Sequence, residues 1–291
     1  MKQKADLYLS TDGWMPLHTK VKTVNVIHDL NFEYYPKDLP FWYRKYYQFY
    51  FPRFARKSTR LATVSEYSKS DIAHKYNIPI EKIDVIYNGC NEKYKEIMPL
   101  QQDIIRWEYC FNQPYFVFVG SLHPRKNLIN LFKAFDLFKT QSDTGIKMLI
   151  VGKKRWWTDE IDLTFESMKY KEDVIFTGHV ESDRLNEIIG SSLAMTYVSY
   201  FEGFGIPILE AFYCETPLIT SNVTAMPEIT GDAALLVDPF SPESIANAMN
   251  QVAFNETLRQ DLIAKGRIRR QAFSWQKSAD LLWNCIEKAM G

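Results

Sequence analysis

Short apolar runs alternate with amphipathic segments along most of the chain, a pattern typical of an α/β protein with parallel sheets. The runs are rich in β-branched and aromatic side chains, so they predict strands that are buried on both faces. We predict strands at Asp6–Ser10, Thr23–Ile27, Arg60–Ser65, Ile83–Tyr87, Tyr115–Ser121, Lys147–Gly152, Val174–Gly178, Leu193–Val198, Pro217–Ser221 and Ala234–Val237.

The amphipathic segments predict helices that cover these sheets. The predicted helices lie near Phe41–Arg56, Lys69–Tyr76, Leu128–Lys139, after Thr158, after Ser182, after Gly205, and at Pro242–Phe254, Glu256–Gln271 and Phe273–Met290. Residues 90–103 lose the helical and strand periods, and this predicts a linker.

Three local signals refine these helices. Pro52 is expected to shorten any continuous helix in its region, because it lacks the N–H that a helix interior needs. Ser68 and Ser182 each precede a helical pattern, and serine is a preferred N-cap residue. We therefore predict that helices begin directly after these two serines.

Length and composition bound the protein class. The 291 residues exceed the usual size of a single core, so two domains are expected. A net charge of zero argues against a general nucleic-acid binder. The four cysteines form no C-x-x-C pair, no apolar run has transmembrane length, and the start at Met1–Asp6 lacks a signal-peptide core. These features predict a cytoplasmic protein with reduced thiols.

A glycine-rich segment, Tyr200–Phe212, follows an apolar run and leads into a predicted helix. Gly203 and Gly205 permit a tight turn, and Pro207 suits the first helical position. The N–H groups of such a helix start attract phosphate. Glu202 and Glu210 bracket the segment, and carboxylates accept hydrogen bonds from sugar hydroxyls. The alternative is an ordinary turn with two solvated glutamates, and the spacing alone leaves both interpretations open.

Charged side chains also lie at the ends of other predicted strands. Arg125 and Lys126 follow the run Tyr115–Ser121, where they would clamp a diphosphate or simply be solvated. His28 lies at the end of another strand, which is where α/β proteins build their sites. A lone histidine is more often structural, so the residues by themselves favour that role for His28.

The segment Glu202–Glu210 resembles the paired-glutamate signature of retaining, nucleotide-sugar-dependent glycosyltransferases of family 4, which have the GT-B fold. Four further segments are similar to that family: Ile27–Pro36, Val64–Ser68, Ile86–Gly89 and Val119–Asn127. The resemblance extends from about Asp6 to the end of the chain.

The resemblance implies an α/β, GT-B architecture of two Rossmann-like, doubly wound domains that face a cleft. Residues 1–105 would form the acceptor-side domain, residues 106–272 the nucleotide-sugar domain, and residues 273–291 a helix that crosses back to the first domain. Relatives begin with a further βαβ region, so we expect the N-terminal domain to be incomplete.

The same resemblance implies the site residues. Catalytic roles would belong to His28, Glu202, Arg125 and Lys126. The donor would be bound by Ser121, Gly152, Val180, Gly203, Phe204, Gly205, Ile206 and Glu210. Within this set, Glu210 would bind the ribose diol and Val180 the nucleotide base. Some relatives carry an arginine where this chain has Ser121, so the first cationic contact of those relatives is missing here.

The implied reaction moves a sugar, with mannose favoured, from a GDP- or UDP-sugar to a glycan or lipid-linked acceptor, with retention, in surface polysaccharide synthesis. No cofactor is expected beyond the donor. The chain has no Asp-x-Asp motif and no His or Cys cluster, so we expect no metal site and metal-independent catalysis. The alternative is a truncated nucleotide-sugar-binding module that lacks transferase activity on its own.

Residues 41–60 are basic and aromatic, with no acid between Asp38 and Glu66. One interpretation is peripheral contact with the inner face of a membrane, where aromatic rings lie at the interface and cations bind lipid phosphate. The other interpretation, slightly favoured by the sequence, is an ordinary helix whose rings pack on the sheet while its cations reach water.

Overall fold

The computed structural model describes residues 5–291, whose strands form two separate parallel sheets. The strands of these residues are β1 (Leu7–Ser10), β2 (Lys22–Val26), β3 (Arg60–Thr63), β4 (Ile83–Val85), β5 (Tyr115–Val119), β6 (Lys147–Val151), β7 (Val174–Gly178), β8 (Ala194–Tyr197), β9 (Leu218–Ser221) and β10 (Leu235–Val237). Every predicted strand overlaps one of them, so the strand predictions are confirmed.

Helices connect these strands throughout. They are α1 (Asn31–Tyr34), α2 (Phe41–Lys57), α3 (Glu66–Tyr76), α4 (Pro99–Cys110), α5 (Leu128–Gln141), α6 (Asp159–Glu166), α7 (Ser182–Gly190), α8 (Ile206–Tyr213), α9 (Met226–Thr230), α10 (Pro242–Phe254), α11 (Glu256–Arg269) and α12 (Trp275–Met290).

The chain divides into two compact units. Unit 1 contains the residues up to Gly89 together with Glu202–Phe204 and Phe273–Gly291, and unit 2 contains Cys90–Phe201 and Gly205–Ala272. The division of function at residues 105/106 and 272/273 stays a prediction.

Unit 1 is built on a four-stranded sheet in the order β1-β2-β3-β4, with every neighbouring pair parallel. Leu61 packs with Phe54 of α2 and Ile72 of α3 in one buried cluster. Val26 and Ala62 pack with α12 in a second cluster. Burial of these apolar side chains on two faces explains why the strands read as nearly continuous hydrophobic runs.

Unit 2 is built on a six-stranded parallel sheet in the order β10-β9-β8-β5-β6-β7. Its core is strongly aromatic: Phe116 of β5 packs edge-to-face on Phe138 of α5, and Phe132 packs against Phe165 and Phe176. Numbered within the unit, the strand order is 3-2-1-4-5-6, which is the Rossmann arrangement. The strand order reverses between β5 and β8, so a ligand crevice is expected beside the ends of these two strands.

Helix α2 contradicts the expectation for Pro52, because it continues from Phe41 to Lys57 with Pro52 inside it. The proline leaves one helical carbonyl without its usual N–H partner. The buried side chains Phe51, Phe54 and Ala55 lie around the proline, and their packing holds the helix together.

Two N-cap predictions and part of the linker prediction are also wrong. The hydroxyl of Ser65 caps α3 by accepting from the backbone N–H of Ser68, and the N-cap of α7 is Glu181, so Ser68 and Ser182 lie inside their helices. The predicted linker contains the start of α4, because Pro99 occupies its first turn, where no N–H is required.

The four cysteines are free and buried, as the absence of paired spacing predicted. Each helix within residues 5–291 is too short or too polar to cross a bilayer. Residues Met1–Lys4, which belong to the segment weighed above against a signal peptide, lie outside the described residues.

Candidate functional site

A short turn, Pro124–Lys126, follows β5 at the point where the strand order of unit 2 reverses. The ring of His123 caps this turn by accepting from the backbone N–H of Arg125 at 3.2 Å. Asn127 ends the turn in the left-handed region, and its amide donates to the carbonyls of Val198 at 2.9 Å and Pro239 at 2.7 Å. The bond to Val198 fixes the turn after β5 to the segment that follows β8, and the bond to Pro239 fixes it to the segment that follows β10.

Arg125 adds two further hydrogen bonds between the turn after β5 and the segment that follows β8. Its guanidinium donates to the carbonyl of Phe201 at 2.7 Å, and its own carbonyl accepts from the N–H of Tyr200 at 2.9 Å. Arg125 therefore holds the start of the glycine-rich segment against the turn.

Lys126 is a buried cation, with only 8% of its surface exposed. Its Nζ lies 2.7 Å from the phenolic oxygen of Tyr197, the last residue of β8, and 4.8 Å from the ring centroid. Tyr197 was not predicted as a site residue. The only sign of this role in the sequence is that a residue with a hydroxyl group ends the apolar strand β8, next to the switch point.

Glu210 lies on α8, and three features of its surroundings affect the pKa of its carboxyl group. Burial raises the pKa of Glu210, while a hydrogen bond from Tyr94 and the charge of Lys126 act in the opposite direction. Burial and the nearby Glu210 in turn raise the pKa of Tyr94, which keeps this phenol a donor. Tyr94 comes from the segment predicted as a linker, and no sequence signal identified it.

Two buried polar atoms lie next to these groups without a protein partner in the described part of the chain: Oδ1 of Asn127 and Oγ of Ser199. Buried polar atoms are nearly always hydrogen-bonded. A polar ligand or water molecules would complete the bonding at the switch point.

A cavity of about 430 Å³ opens at the carboxyl ends of β5, β6 and β7. It brings together three predicted donor-binding residues, Ser121, Gly152 and Val180. Gly152 is required here because a Cβ at this position would collide with the carbonyl oxygen of Gly120. Residues of several types form the rest of the wall, among them Lys153, Arg155, Trp156, His179 and Ser182.

Trp156 connects this cavity to the turn after β5. Its ring packs edge-to-face on His123, with 5.5 Å between the ring centroids, and His123 is the cap of the Pro124–Lys126 turn. Trp156 was not predicted as a site residue, so its place in the cavity wall is a finding of the structure.

Gly205 forms the N-cap of α8 in the left-handed region, with φ +90°, a conformation that favours glycine. The helix begins at Ile206, whose side chain is 38% exposed. Pro207 is therefore the second residue of the helix, whereas the sequence pattern predicted it as the first. The unpaired N–H groups of this first turn give the start of α8 a positive partial charge.

The remaining predicted residues belong to unit 1. The carbonyl of Gly203 accepts from the hydroxyls of Ser65 at 2.7 Å and Ser68 at 3.4 Å. A Cβ at Gly203 would collide with the carbonyl oxygen of His28, so glycine is needed for this close approach. Nε2 of His28 lies 2.8 Å from the carbonyl oxygen of Thr11 and therefore donates to it.

The two residues that flank Gly203 are also buried. Glu202 is 6% exposed, and Phe204 packs edge-to-face on Phe273 with 5.6 Å between the ring centroids. The sequence predicted a loop with a solvated or ligand-binding glutamate, and the burial of Glu202 excludes the solvated alternative.

Two family models match the chain. Glycosyl transferases group 1 matches residues 101–269, and Glycosyltransferase Family 4 matches residues 5–94. The chain is 28% identical over 280 residues to O-antigen chain mannosyltransferase B of Escherichia coli, covering 93% of this chain and 71% of that protein. It is 30% identical over 246 residues to O-antigen chain mannosyltransferase RfbU of Salmonella typhimurium, covering 84% of this chain and 64% of RfbU.

Solved structures support the fold. A sucrose-phosphate synthase from Thermosynechococcus elongatus superposes with a TM-score of 0.77 at 19% identity, covering 93% of this chain and 68% of the synthase. Anabaena Alr3699/HepE in complex with UDP and glucose gives the same TM-score and identity over 92% of this chain and 72% of HepE. The predicted GT-B fold is thereby confirmed. Since one family model covers more than half of its length, this chain belongs to the glycosyl transferases group 1 family of enzymes.

Proposed function

We propose that this chain transfers a sugar, with mannose favoured, from a nucleotide-diphosphate sugar to a glycan or lipid-linked acceptor in surface polysaccharide synthesis. The observation that carries the proposal is the combination of a buried lysine at the switch point of unit 2 and a 430 Å³ cavity at the carboxyl ends of β5, β6 and β7. Ligands of doubly wound sheets bind at such points. A nucleoside diphosphate matches both features, because its aromatic base suits the cavity and its negatively charged phosphates suit the lysine.

The donor roles follow from this arrangement. The base and ribose would occupy the cavity lined by Ser121, Gly152 and Val180, next to the ring of Trp156. The diphosphate would be bound by Lys126 and Arg125, together with the first N–H groups of α8. In this scheme Glu210 accepts from the ribose diol.

The sugar-binding roles rest on the resemblance. Glu202, Gly203, Phe204, Gly205 and Ile206 would hold the donor sugar. His28 would contact the same sugar, and its Nε2–H is already committed to Thr11, which leaves Nδ1 as an acceptor for a hydroxyl.

The main catalytic task is to stabilise the charge that develops on the leaving nucleoside diphosphate. Lys126 and Arg125 would act by fixed positive charge in a partly desolvated site, where such charge is most effective. We therefore propose that no metal ion is needed. Loss of activity with a chelator and its recovery with manganese would contradict this part of the proposal.

Mannose and retention are the finer parts of the proposal. Mannose is supported by the names of the relatives from Escherichia coli and Salmonella typhimurium, which are mannosyltransferases. Retention is supported by the resemblance of Glu202–Glu210 to the signature of retaining enzymes. The anomeric configuration of the product, read by NMR, tests retention directly.

A thermal-shift panel tests the donor. A ligand that binds only the native state stabilises it by about 2.7 kcal/mol at one hundred times its dissociation constant. We expect GDP-mannose, or a UDP-sugar, to raise the melting temperature, and the K126A variant to lose most of that shift. Equal shifts in K126A and the unchanged protein, or no shift with any sugar nucleotide, would contradict the proposed site.

The second candidate function is a binding module that holds the donor but does not transfer its sugar alone. This chain spans 64% of RfbU and 71% of mannosyltransferase B. Slow hydrolysis of the donor with tight nucleotide binding, and no glycan product when acceptor is added, would favour this function.

We also propose peripheral contact of α2 with the inner face of a membrane. Several large side chains at the start of this helix are exposed, with Trp42 at 79%, Tyr43 at 59% and Phe41 at 51%. Arg44 and Lys45 lie within 6 Å of the Phe41 ring, so aromatic and cationic groups share this surface. That combination suits anionic headgroups.

A further inference from the structure

The turn after β6, formed by Lys154–Trp156, carries two side chains that wall the cavity proposed for the nucleotide base. Arg155 and Trp156 both line this 430 Å³ cavity. The guanidinium of Arg155 lies 5.6 Å from the ring centroid of Trp156, so the two groups form a cation–π pair. The shape of the cavity therefore depends on where the turn after β6 lies.

The backbone bond that ties this turn to the neighbouring loop is long. The carbonyl of Lys153 accepts from the N–H of Arg155 at 2.8 Å, which closes the turn on itself. The same carbonyl accepts from the N–H of Leu122, in the loop after β5, at 3.5 Å, which is beyond the usual range for such a bond. A side chain that anchors the turn would therefore affect its position.

Lys154 has the contacts of such an anchor, because its ammonium group lies among three aromatic rings. Its Nζ lies 4.3 Å from the ring centroids of both Trp157 and Phe176, and 5.9 Å from that of Phe165. All three distances fall within the range in which a cation is attracted to the face of a ring. We call Lys154 and these three rings the lysine cage.

The rings of the lysine cage belong to the aromatic core of unit 2. Phe176 lies on β7, and it packs edge-to-face on Phe165 of α6 and on Trp157, with 5.2 Å and 5.7 Å between the ring centroids. The indole N–H of Trp157 donates to Asp162 of α6 at 2.8 Å. Lys154 therefore connects the turn after β6 to a well-packed part of the fold.

We propose that Lys154 is a positioning residue for the donor: the lysine cage holds the turn after β6 so that Arg155 and Trp156 form a ready-made wall for the nucleotide base. This inference rests on the proposed function, since it takes the occupant of the cavity to be a nucleoside diphosphate. The apparent dissociation constant rises when the binding-competent arrangement is populated only part of the time. The charge of Lys154 carries the role, because ring faces attract a cation electrostatically.

Hydrogen exchange without nucleotide tests the anchoring. Lys154→Gln keeps a polar side chain of similar length but removes the charge, so we expect the amides of residues 153–157 to exchange about fivefold faster. Lys154→Arg keeps a cation that the rings attract and should restore slow exchange. Lys169→Gln is the matched control, because the ammonium of Lys169 lies 4.9 Å from the single ring of Tyr170, also in unit 2.

Calorimetric titration with GDP and with UDP tests the effect on donor binding. We expect Lys154→Gln to raise the dissociation constant of whichever diphosphate the unchanged protein binds by roughly threefold to tenfold. Lys154→Arg should restore it to within about twofold, and Lys169→Gln should leave it unchanged. Since Lys154 and Lys169 are both exposed, all three variants should keep the far-UV circular dichroism of the unchanged protein.

Two outcomes would overturn the inference on its own. Equal exchange of residues 153–157 in Lys154→Gln and Lys169→Gln would mean that the cage does not hold the turn. Faster exchange in Lys154→Gln with an unchanged dissociation constant would mean that the wall does not need to be held. Failure of the unchanged protein to bind either diphosphate would contradict the proposed function and with it the donor role of Lys154, whatever the exchange measurement shows about the turn.

Discussion

Lys126 and Glu210 are ionisable groups placed where solvent is largely excluded, and each is hydrogen-bonded to a tyrosine. Tyr197 accepts from Lys126 at 2.7 Å, and Tyr94 donates to Glu210. Burying a charge is costly unless it is hydrogen-bonded, so each tyrosine offsets part of the cost of ionising its partner.

Replacement of Lys126 by alanine should reduce turnover by about 10² to 10³-fold, because the variant lacks a fixed charge at the leaving diphosphate. The measurement is the steady-state rate with saturating acceptor. Lys133→Ala provides the control, since Lys133 is an exposed lysine on α5. If K126A turned over at the rate of the control, the diphosphate role of Lys126 would have to be abandoned.

Glu210→Gln should change how stability depends on pH. Burial raises the pKa of Glu210 above its value in the unfolded chain, so the folded state holds this proton more tightly. As pH rises from about 4 to about 7, the unfolded state ionises first and the unchanged protein loses free energy of unfolding. Glutamine cannot ionise, so the melting temperature of E210Q minus that of the unchanged protein should increase over this range.

Glu172→Gln, which removes an exposed carboxyl group of unit 2, is the control against which the melting-temperature difference of E210Q is compared at each pH. A melting-temperature difference for E210Q that falls as pH rises would mean that the carboxylate is stabilised, and not destabilised, by its site.

At the scale of elements, the strands could be predicted because each is an apolar run that is buried in a parallel sheet. Helix interiors were predicted from their period, and the starts of α5, α10 and α11 were predicted correctly. The N-caps of α3 and α7 were not, because the Ser65 cap and the Glu181 cap are decided by backbone geometry. The path of α2 through Pro52 could not be predicted, since tertiary packing of Phe51 and Phe54 outweighs a local rule.

The residues of the candidate site also divide into those that the sequence could predict and those that it could not. Ser121 and Gly152 end predicted strands and Val180 follows one, and parallel topology alone brings strand ends together. Tyr94, Tyr197 and Trp156 were missed, because their roles depend on which distant elements become neighbours. No local pattern contains that information.

The glycines at strand ends give a prediction at this scale. Gly152→Ala should cost about 3 kcal/mol or more in the free energy of unfolding, because its Cβ would meet the Gly120 carbonyl oxygen, which belongs to backbone and has little freedom to move. Gly178→Ala should cost about 1 to 2 kcal/mol, since nothing lies within 4 Å of its Cβ and only its positive φ of 71° is unfavourable.

Urea denaturation of both variants provides the comparison. The critical result is which variant loses more free energy of unfolding, because Gly152→Ala introduces a steric collision and Gly178→Ala only backbone strain. A Gly178→Ala variant less stable than Gly152→Ala would show that the contact at Gly120 is relieved by movement of the strand ends.

At the scale of the whole molecule, surface chemistry is uneven. The start of α2 exposes aromatic rings next to cations, although the chain as a whole has no net charge. A local basic and aromatic surface on a neutral protein would confine the proposed membrane contact to one face, because distant charges are screened in salt.

Trp42→Ala should lower the fraction of protein bound to vesicles that contain phosphatidylglycerol by about fivefold or more, since an exposed Trp is the type of side chain that enters the interface. Co-sedimentation measures the bound fraction, and neutral phosphatidylcholine vesicles should bind little of either protein. Trp107→Ala serves as the control on unit 2. Equal binding of the two variants would place the membrane contact elsewhere or remove it.

The four buried cysteines, finally, allow the unfolding of each compact unit to be followed separately. Burial raises the pKa of Cys90, Cys110 and Cys285 to about 12, so at neutral pH they remain thiols and react slowly with alkylating reagents. Cys285 lies in unit 1 and the other three lie in unit 2. The order in which a mass-labelled alkylating agent modifies them under mild denaturant would therefore show which half opens first, without any engineered probe.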